Sequence, residues 1–294
     1  MASGVITVLH TSDFQCGTPF LPRAADALVR LAARVAPDVV VASGDLTQRA
    51  KGREFVLART LLDRLGRVPL VLTPGNHDVP LYRIWERLVC PYRNWRRFAG
   101  PDLDSVARVE GATFVALNSS APRRAVVNGR IDDRQLDFAR RAFADSPRGD
   151  RRVLVLHHHF VSVPGGEGGR PLPRAAHLAR AFEEMRVDAV LGGHVHQLHL
   201  RSSADLPSSG DVHAVPLVAC GTTTSRRGRG AEAGWNSLVV LHFEADFVRV
   251  TPHKLHPKGA EFEPLESVRF PSAVHELEEV DDLHGSSVSG DRAG

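Results

Sequence analysis

The chain reads as an α/β protein, a four-layer α/β/β/α sandwich in which two mixed sheets are flanked by helices. Three observations predict this. Through the first 190 or so residues, short apolar runs alternate with helical patterns, which implies parallel strands joined by crossovers on the sheet faces. From Leu198 on, segments 212–219, 236–243 and 246–251 alternate or run apolar with no helix between them, the pattern of a second, more antiparallel sheet. Finally, 294 residues, 43% of them apolar, can bury a substantial core.

Val5 to Leu9 is the first strand, and it runs into His10-Thr-Ser-Asp13-Phe-Gln15. Pro22 to Val35 spaces Ala24, Ala27, Leu28, Leu31 and Val35 three or four apart, an amphipathic helix started by proline. Pro37-Asp-Val-Val-Val-Ala is the second strand and leads to Gly44-Asp45-Leu-Thr-Gln-Arg49. A helix over 53–65 offers Phe55, Ala58, Leu61 and Leu62 for burial. The third strand, Val68 to Pro74, ends in Gly75-Asn76-His77-Asp78, where open α/β sheets place their ligands. Residues 80–98 hold Tyr82, Trp85, Tyr92 and Trp95, which read as core packing beside that loop.

Ser105–Val109 and Thr113–Leu117, split by Glu110-Gly-Ala, read as a hairpin. Asp132 to Ala144 is a helix capped by Asp132 or Asp133. Val153–Leu156 is a wholly apolar strand followed by His157-His158-His159. The Gly- and Pro-rich loop Val163–Pro173 suits a mobile rim. A helix over 174–186 and the strand Ala189–Leu191 then lead to Gly192-Gly193-His194-Val195-His196.

Aromatics make up only 6% of the chain, so the core rests on Val, Leu and Ala. The formal charge of +3 hides an asymmetry: from Glu261 onward nine acidic residues face two arginines, leaving residues 1–260 with 35 basic against 25 acidic. Such a body suits an anionic substrate, although Arg-rich proteins without one are common. Cys16, Cys90 and Cys220 lack the spacing of a metal knuckle, which fits a reduced interior. No secretory signal and no apolar run near the ~20 residues of a membrane span are visible, so a cytoplasmic protein with no membrane partner is expected.

Five strand ends thus present Asp13, Asp45, Asn76 with His77, the histidine run, and His194 with His196. An isolated Asp after a strand is a turn former or a cap. Five such ends in one chain are better explained by a shared metal centre. Imidazole, carboxylate and amide oxygen donors suit Mn, Fe or Zn, and the lack of a Cys set argues against a structural zinc site.

Asp13-Phe-Gln15, Gly44-Asp45-Leu-Thr-Gln-Arg49, Gly75-Asn76-His77-Asp78, His157-His158-His159-Phe160 and Gly193-His194-Val195-His196 resemble, in order and spacing, the five blocks of the calcineurin-like metallophosphoesterases, across about 185 residues. Gly129–Leu136 and Cys220–Arg229 also resemble stretches of the bacterial branch that includes cyclic-nucleotide phosphodiesterases. The resemblance implies a metallophosphoesterase domain over 1–260; the composition of 261–294, acidic and then Gly/Ser-rich, reads as an extension with a disordered end.

It further implies two divalent ions bridged by Asp45, one also held by Asp13 and His196, the other by Asn76, His194 and a member of the histidine run. If Phe160 stands where the family's block carries proline, that member is His158; otherwise it is His157. Gln15 departs from the family, which has a ligand histidine there. Its neutral amide oxygen is a poorer donor than imidazole, so a weaker first metal site is expected.

Two ions about 3.5–4 Å apart can hold a bridging hydroxide for in-line attack on phosphorus. His77 is the candidate general acid with Asp78 orienting its ring, or else a substrate-binding group. Arg49 fits a partner of the Asp45 region, and Arg226, Arg227 and Arg229 read as a solvated basic loop.

The expected activity is hydrolysis of a small phosphodiester such as a cyclic nucleotide. A broad phosphomonoesterase and a catalytically weak metal-binding scaffold are the alternatives. Nucleic acid is not an expected partner, since no interleaved aromatic-basic groove is evident.

Overall fold

The computed structural model describes residues 4–124, 127–163, 169–206 and 214–273. The elements follow in the order β1 (Ile6–Thr11), α1 (Pro22–Val35), β2 (Val39–Ala42), α2 (Gly52–Asp63), β3 (Leu70–Leu72), α3 (Ile84–Val89) and α4 (Arg93–Phe98). Next come β4 (Ser105–Val109), β5 (Ala112–Ala116), α5 (Asp133–Ala144), β6 (Arg151–Val155), α6 (Ala175–Glu184) and β7 (Ala189–Gly192). The chain continues with β8 (His199–Ser202), β9 (Pro216–Ala219), β10 (Asn236–Phe243), β11 (Phe247–Leu255), β12 (Glu263–Pro264) and β13 (Val268–Pro271).

Local chemistry accounts for several of these boundaries. Pro22 opens α1, which buries Ala24, Ala27, Leu28 and Leu31 and closes at Ala36 in the left-handed region. Asp132 caps α5 by accepting from Gln135 N, and the Gln135 side chain accepts in return from Asp132 N, a reciprocal capping box. Of the two candidate caps, Asp132 is therefore the one used.

The first sheet runs β12-β11-β10-β1-β2-β3, with β13 also on β11; the second runs β4-β5-β6-β7-β9-β8. Strands β1, β2 and β3 are parallel, as are β5, β6, β7 and β9. Between the sheets, Val8, Val39 and Val41 meet Phe114, Val153, Val155 and Leu191. Helices α1 and α2 cover the outer face of the first sheet, and α5 and α6 that of the second. The result is the four-layer sandwich.

The sequence reading differs from the structure on what lies beyond Leu198. Only β8 and β9 join the second sheet; β10 and β11 extend the first, β10 lying antiparallel to β1. The reason is burial: β1 would otherwise show an open edge, and Leu238–Leu241 are covered on both faces. Residues 80–98 are likewise divided. Trp95 and Tyr92 are buried, Trp95 edge-on to Phe55, whereas Tyr82 and Trp85 are 69% and 83% exposed.

Residues 263–264 and 268–271 of the acidic stretch pair with β11, while the end expected to be disordered and residues 164–168 of the expected rim lie outside the described residues. Among the described residues, no helix is long and apolar enough to cross a membrane. All three cysteines are free.

Candidate metal centre

The loops at the carboxyl ends of β1, β2, β3, β6 and β7 meet at one place. Backbone bonds lock them together: Asp13 N donates to Gly44 O, Gln15 N to Asp45 O, and Gly193 N to His157 O. No side chain fits at some of the junctions. A Cβ on Gly75 would overlap Asp45 Oδ1, and one on Gly193 would overlap Ser12 Oγ. Asp13, Gln15, Asp45, His194 and His196 all have positive φ, and they are five of the nine such non-glycine residues among those described. Backbone strain of this kind persists where the surroundings over-determine it, and it gathers at functional sites.

Asp13, Asp45 and His196 bring ligand atoms within 4.8 Å of one another, all buried. His196 Nε2 lies 3.3 Å from Asp13 Oδ1, and His157 Nε2 lies 3.4 Å from Asp45 Oδ1. His194 Nδ1 meets Asn76 Oδ1 at 3.0 Å. His157 Nδ1 faces the Ser43 carbonyl, and His196 Nδ1 that of Arg227. A carbonyl only accepts, so Nδ1 donates in both rings and Nε2 is the atom turned inward, open to a proton or an ion.

Several inward atoms have no hydrogen-bond partner: Asp13 Oδ1, Asp45 Oδ2, His157 Nε2 and His194 Nε2. Buried polar atoms are normally paired, and orphaned carboxylate oxygens facing imidazole lone pairs fit divalent cations.

The electrostatics agree. Burial opposes a charge on His157, yet Asp45 and Asp13 prevail and raise its pKa to about 9, so the cluster favours positive charge there. Burial pushes the Asp13 carboxyl up to about 7, with His157 acting against it and Asp45 with it. For Asp45, burial works upward, but His157 and His77 outweigh it and hold the carboxyl well below its usual range.

The family described as calcineurin-like phosphoesterase matches residues 6–198, well over half of the chain. The chain belongs to the calcineurin-like phosphoesterase family. Members are metal-dependent and typically binuclear. A glycerophosphodiester phosphodiesterase, GpdQ, of Enterobacter lignolyticus is 29% identical over 195 residues, 62% of this chain and 66% of that protein. A probable cyclic nucleotide phosphodiesterase of a Psychrobacter species is 27% identical over 180 residues, 56% of this chain and 48% of that protein. The chain thus spans less than two thirds of either relative.

Two solved structures share the fold. A purple acid phosphatase of yellow lupin matches with a TM-score of 0.65 at 13% identity, over 99% of this chain and 58% of its own. A dimetal phosphatase of Danio rerio matches with 0.61 at 13% identity, over 90% of this chain and 98% of its own.

Within this phosphoesterase fold the histidine run is resolved by strand alternation. Val153 and Val155 face the space between the sheets, and His157 continues that face towards Asp45. His158 continues the face of Leu154 and Leu156; its Nδ1 meets Ser119 Oγ at 2.7 Å. The expectation that His158 stands at Asp45 is therefore corrected to His157.

Gln15 is buried, but its amide nitrogen, not its oxygen, faces His196 Nε2 at 3.1 Å, while its oxygen accepts from Ser225 Oγ. Asp78 does not orient the His77 ring either. Its carboxylate accepts from Leu46 N, Thr47 N and Gly75 N, tying the second loop to the third. Burial and the charge of Asp45 raise its pKa to about 7, against the pull of those N–H groups.

Both nitrogens of His77 are engaged, Nδ1 with Gln48 O at 3.0 Å and Nε2 with an Arg227 nitrogen at 3.2 Å. Arg227, read from the sequence as solvated, is thus part of the site, while Arg49 stacks on Tyr82 at 4.4 Å and does not partner Asp45. Ser119 lies outside every stretch the sequence singles out, and Thr222 and Ser225 fall within the Cys220–Arg229 stretch without a role assigned to them. Ser119 Oγ accepts from His157 N and His158 N, and Thr222 Oγ1 donates to Asp13 O. A lone Ser or Thr in a polar loop gives no sequence signal for such a role.

Proposed function

We propose that the protein is a metal-dependent phosphodiesterase acting on a small phosphodiester such as a cyclic nucleotide. The observation that carries this is the set of buried, unpartnered atoms that four loops turn to one place, Asp13 Oδ1, Asp45 Oδ2, His157 Nε2 and His194 Nε2. The two curated relatives named as phosphodiesterases support a diester over a monoester.

In this reading Asp45, Asp13, His196 and the Gln15 amide would hold one divalent ion, and Asp45, Asn76, His194 and His157 a second; Mn, Fe or Zn suits these donors. Bound there, the ions would supply Lewis acidity that activates water and offsets charge on the phosphoryl group.

The chain's own groups do the rest. Arg227 holds His77 Nε2 in the acceptor state, so the pair binds a phosphoryl oxygen through the guanidinium and does not begin with an imidazole proton to give. His77 N donates to Asp45 Oδ1 at 2.8 Å, which fixes the carboxylate that would serve both ions. Asp78 keeps the Asp45 and Asn76 loops in register by accepting their N–H groups.

The test is hydrolysis of bis-p-nitrophenyl phosphate and p-nitrophenyl phosphate by chelated, then Mn-reconstituted protein. Diester turnover is expected to return with metal and to fall at least about a thousandfold in Asp45→Ala, since loss of one electrostatic donor alone costs ~100–1,000-fold. A preference for the monoester would instead make this a phosphomonoesterase. The orientation of Gln15 favours a second reading, a metal-binding scaffold of little activity. Bound metal with no turnover of either ester would establish it.

A further inference from the structure

Next to His77 the surface opens into a cleft of about 700 Å³. Arg49, Lys51, Arg53, Arg226 and Arg227 line it, with Glu54 as the one acidic lining residue. Glu54 makes no ion pair with any of them. Its side chain is buried and Oε2 accepts from the backbone N–H groups of Arg49 and Lys51, at 2.7 and 3.3 Å.

Among the described residues, none of the five cations forms an ion pair with a carboxylate. Elsewhere Arg30, Arg34, Arg59, Arg64, Arg140 and Arg174 do pair with carboxylates; what sets this group apart is that five unpaired cations share one concave wall. Cations gathered in a concave wall without counter-charges repel one another, and the field they set up draws an anion in.

The cleft is joined to the metal centre by direct contacts. Arg227 reaches both His77 Nε2 and Gln48 Oε1, and the His77 backbone N–H reaches Asp45. A substrate whose scissile phosphate lay at Asp45 would have its remainder running past His77 into this wall. A plain diester or a simple cyclic nucleotide has only the one phosphate, which the metal centre engages, and would leave the wall unanswered.

We propose that the cleft is a subsite for a second phosphate carried by the substrate itself, so that the preferred substrates are phosphodiesters bearing a further phosphomonoester. This rests on the hydrolase reading above and narrows its substrate class. The same wall would also accept free inorganic phosphate, so the test separates the two sources.

The test compares two chromogenic substrates with the Mn-reconstituted full chain: a nucleoside p-nitrophenyl phosphodiester, and the same compound with a phosphate on its other sugar hydroxyl. The second is expected to have the higher kcat/KM by at least about tenfold, the worth of one charge-assisted hydrogen bond. The ratio should shrink as salt is raised. It should fall to near unity in Arg53→Glu and in Arg226→Glu, both exposed positions where reversal leaves the core untouched. Arg108→Ala, on an exposed face of β4, should keep the wild-type ratio.

Equal kcat/KM for the two substrates in the wild type, with both turned over, overturns the subsite and leaves the hydrolase standing. If the ratio is unity but inorganic phosphate alters turnover in a way that Arg53→Glu abolishes, the wall serves a free anion and the substrate assignment is wrong. Failure of both substrates with every divalent ion removes the hydrolase reading and the subsite with it.

Discussion

Strands β6 and β7 carry buried charge at both ends, and the two ends are built in opposite ways. At their amino ends Asp188 is completely covered, and each of its oxygens is answered. Oδ1 accepts from Arg151 and from Ala273 N, both at 3.3 Å, and Oδ2 from Arg152 N at 2.8 Å. Arg151 in turn donates to Ser272 and to the carbonyls of Glu244 and Ala245. At their carboxyl ends, a few residues further along, the carboxylates and imidazoles around Asp45 are equally buried and keep orphaned atoms. Burial alone does not distinguish structure from function. What distinguishes them is whether the chain supplies the partner or leaves the place for an ion.

The sharpest way to break this comparison is at the satisfied end. Arg151→Ala strands the Asp188 carboxylate without its cation, and breaking a buried pair in this way costs about 3–5 kcal/mol. Urea unfolding should show that loss, while the folded fraction binds metal as before. Full stability in Arg151→Ala would mean that the amino-end cluster does not hold the sheets.

Asp13→Asn should act with the opposite sign in metal-free protein. Burial, aided by Asp45 and opposed by His157, raises the Asp13 carboxyl from 3.8 to about 7. The folded state therefore holds a proton that the unfolded chain releases, and the stability that proton provides is lost as pH rises from about 4 to about 7. Asparagine still accepts from Ser12 Oγ and His194 N but has no charge to desolvate. In chelator at pH 8 the variant should be more stable than wild type by about 1–2 kcal/mol, and its stability should decline less between pH 4 and 7. It should lose metal binding at the same time. A variant less stable than wild type in chelator would show that Asp13 contributes to folding as Asp188 does.

The same contrast explains what the sequence shows and what it conceals. Helix α1, the capping box of α5 and the β4–β5 hairpin follow rules that span a few residues, and their places were legible. So were the five site loops, because each ends a strand with a polar side chain that a buried turn does not need. The sheet that β10 joins was not legible, since its pairing with β1 spans more than 200 residues. Arg227 was hidden for the same reason, as its contact with His77 is 150 residues away. The choice between His157 and His158 depended on which face of β6 looks towards the first sheet. Alternation separates the two residues, but only the packing says which face is which.

The smallest expected effect concerns the one ligand position whose chemistry is unusual. Thr222 spends its proton on Asp13 O, so Ser225 has one proton for two acceptors, Gln15 Oε1 at 3.0 Å and Thr222 Oγ1 at 2.6 Å; as the Gln15 amide turns, that proton passes from the first to the second. Ser225 can then accept from the Gln15 amide nitrogen, and a half-turn of the amide aims its oxygen at an ion held by His196. In the proposed arrangement the first site would need this rotation, with a neutral oxygen in place of a nitrogen donor. Gln15→His removes both handicaps, and histidine is among the residues that tolerate the left-handed backbone found here, with φ 47°. Mn binding at the weaker site should tighten by about tenfold, within the ~10–100-fold range over which a metal's surroundings tune its affinity. Calorimetric titration of chelated protein, paired with elemental analysis after dialysis, reads the effect directly. Equal affinity and stoichiometry in the two proteins would mean that residue 15 never touches the ion, and that Asp13, His196 and Asp45 hold it without help.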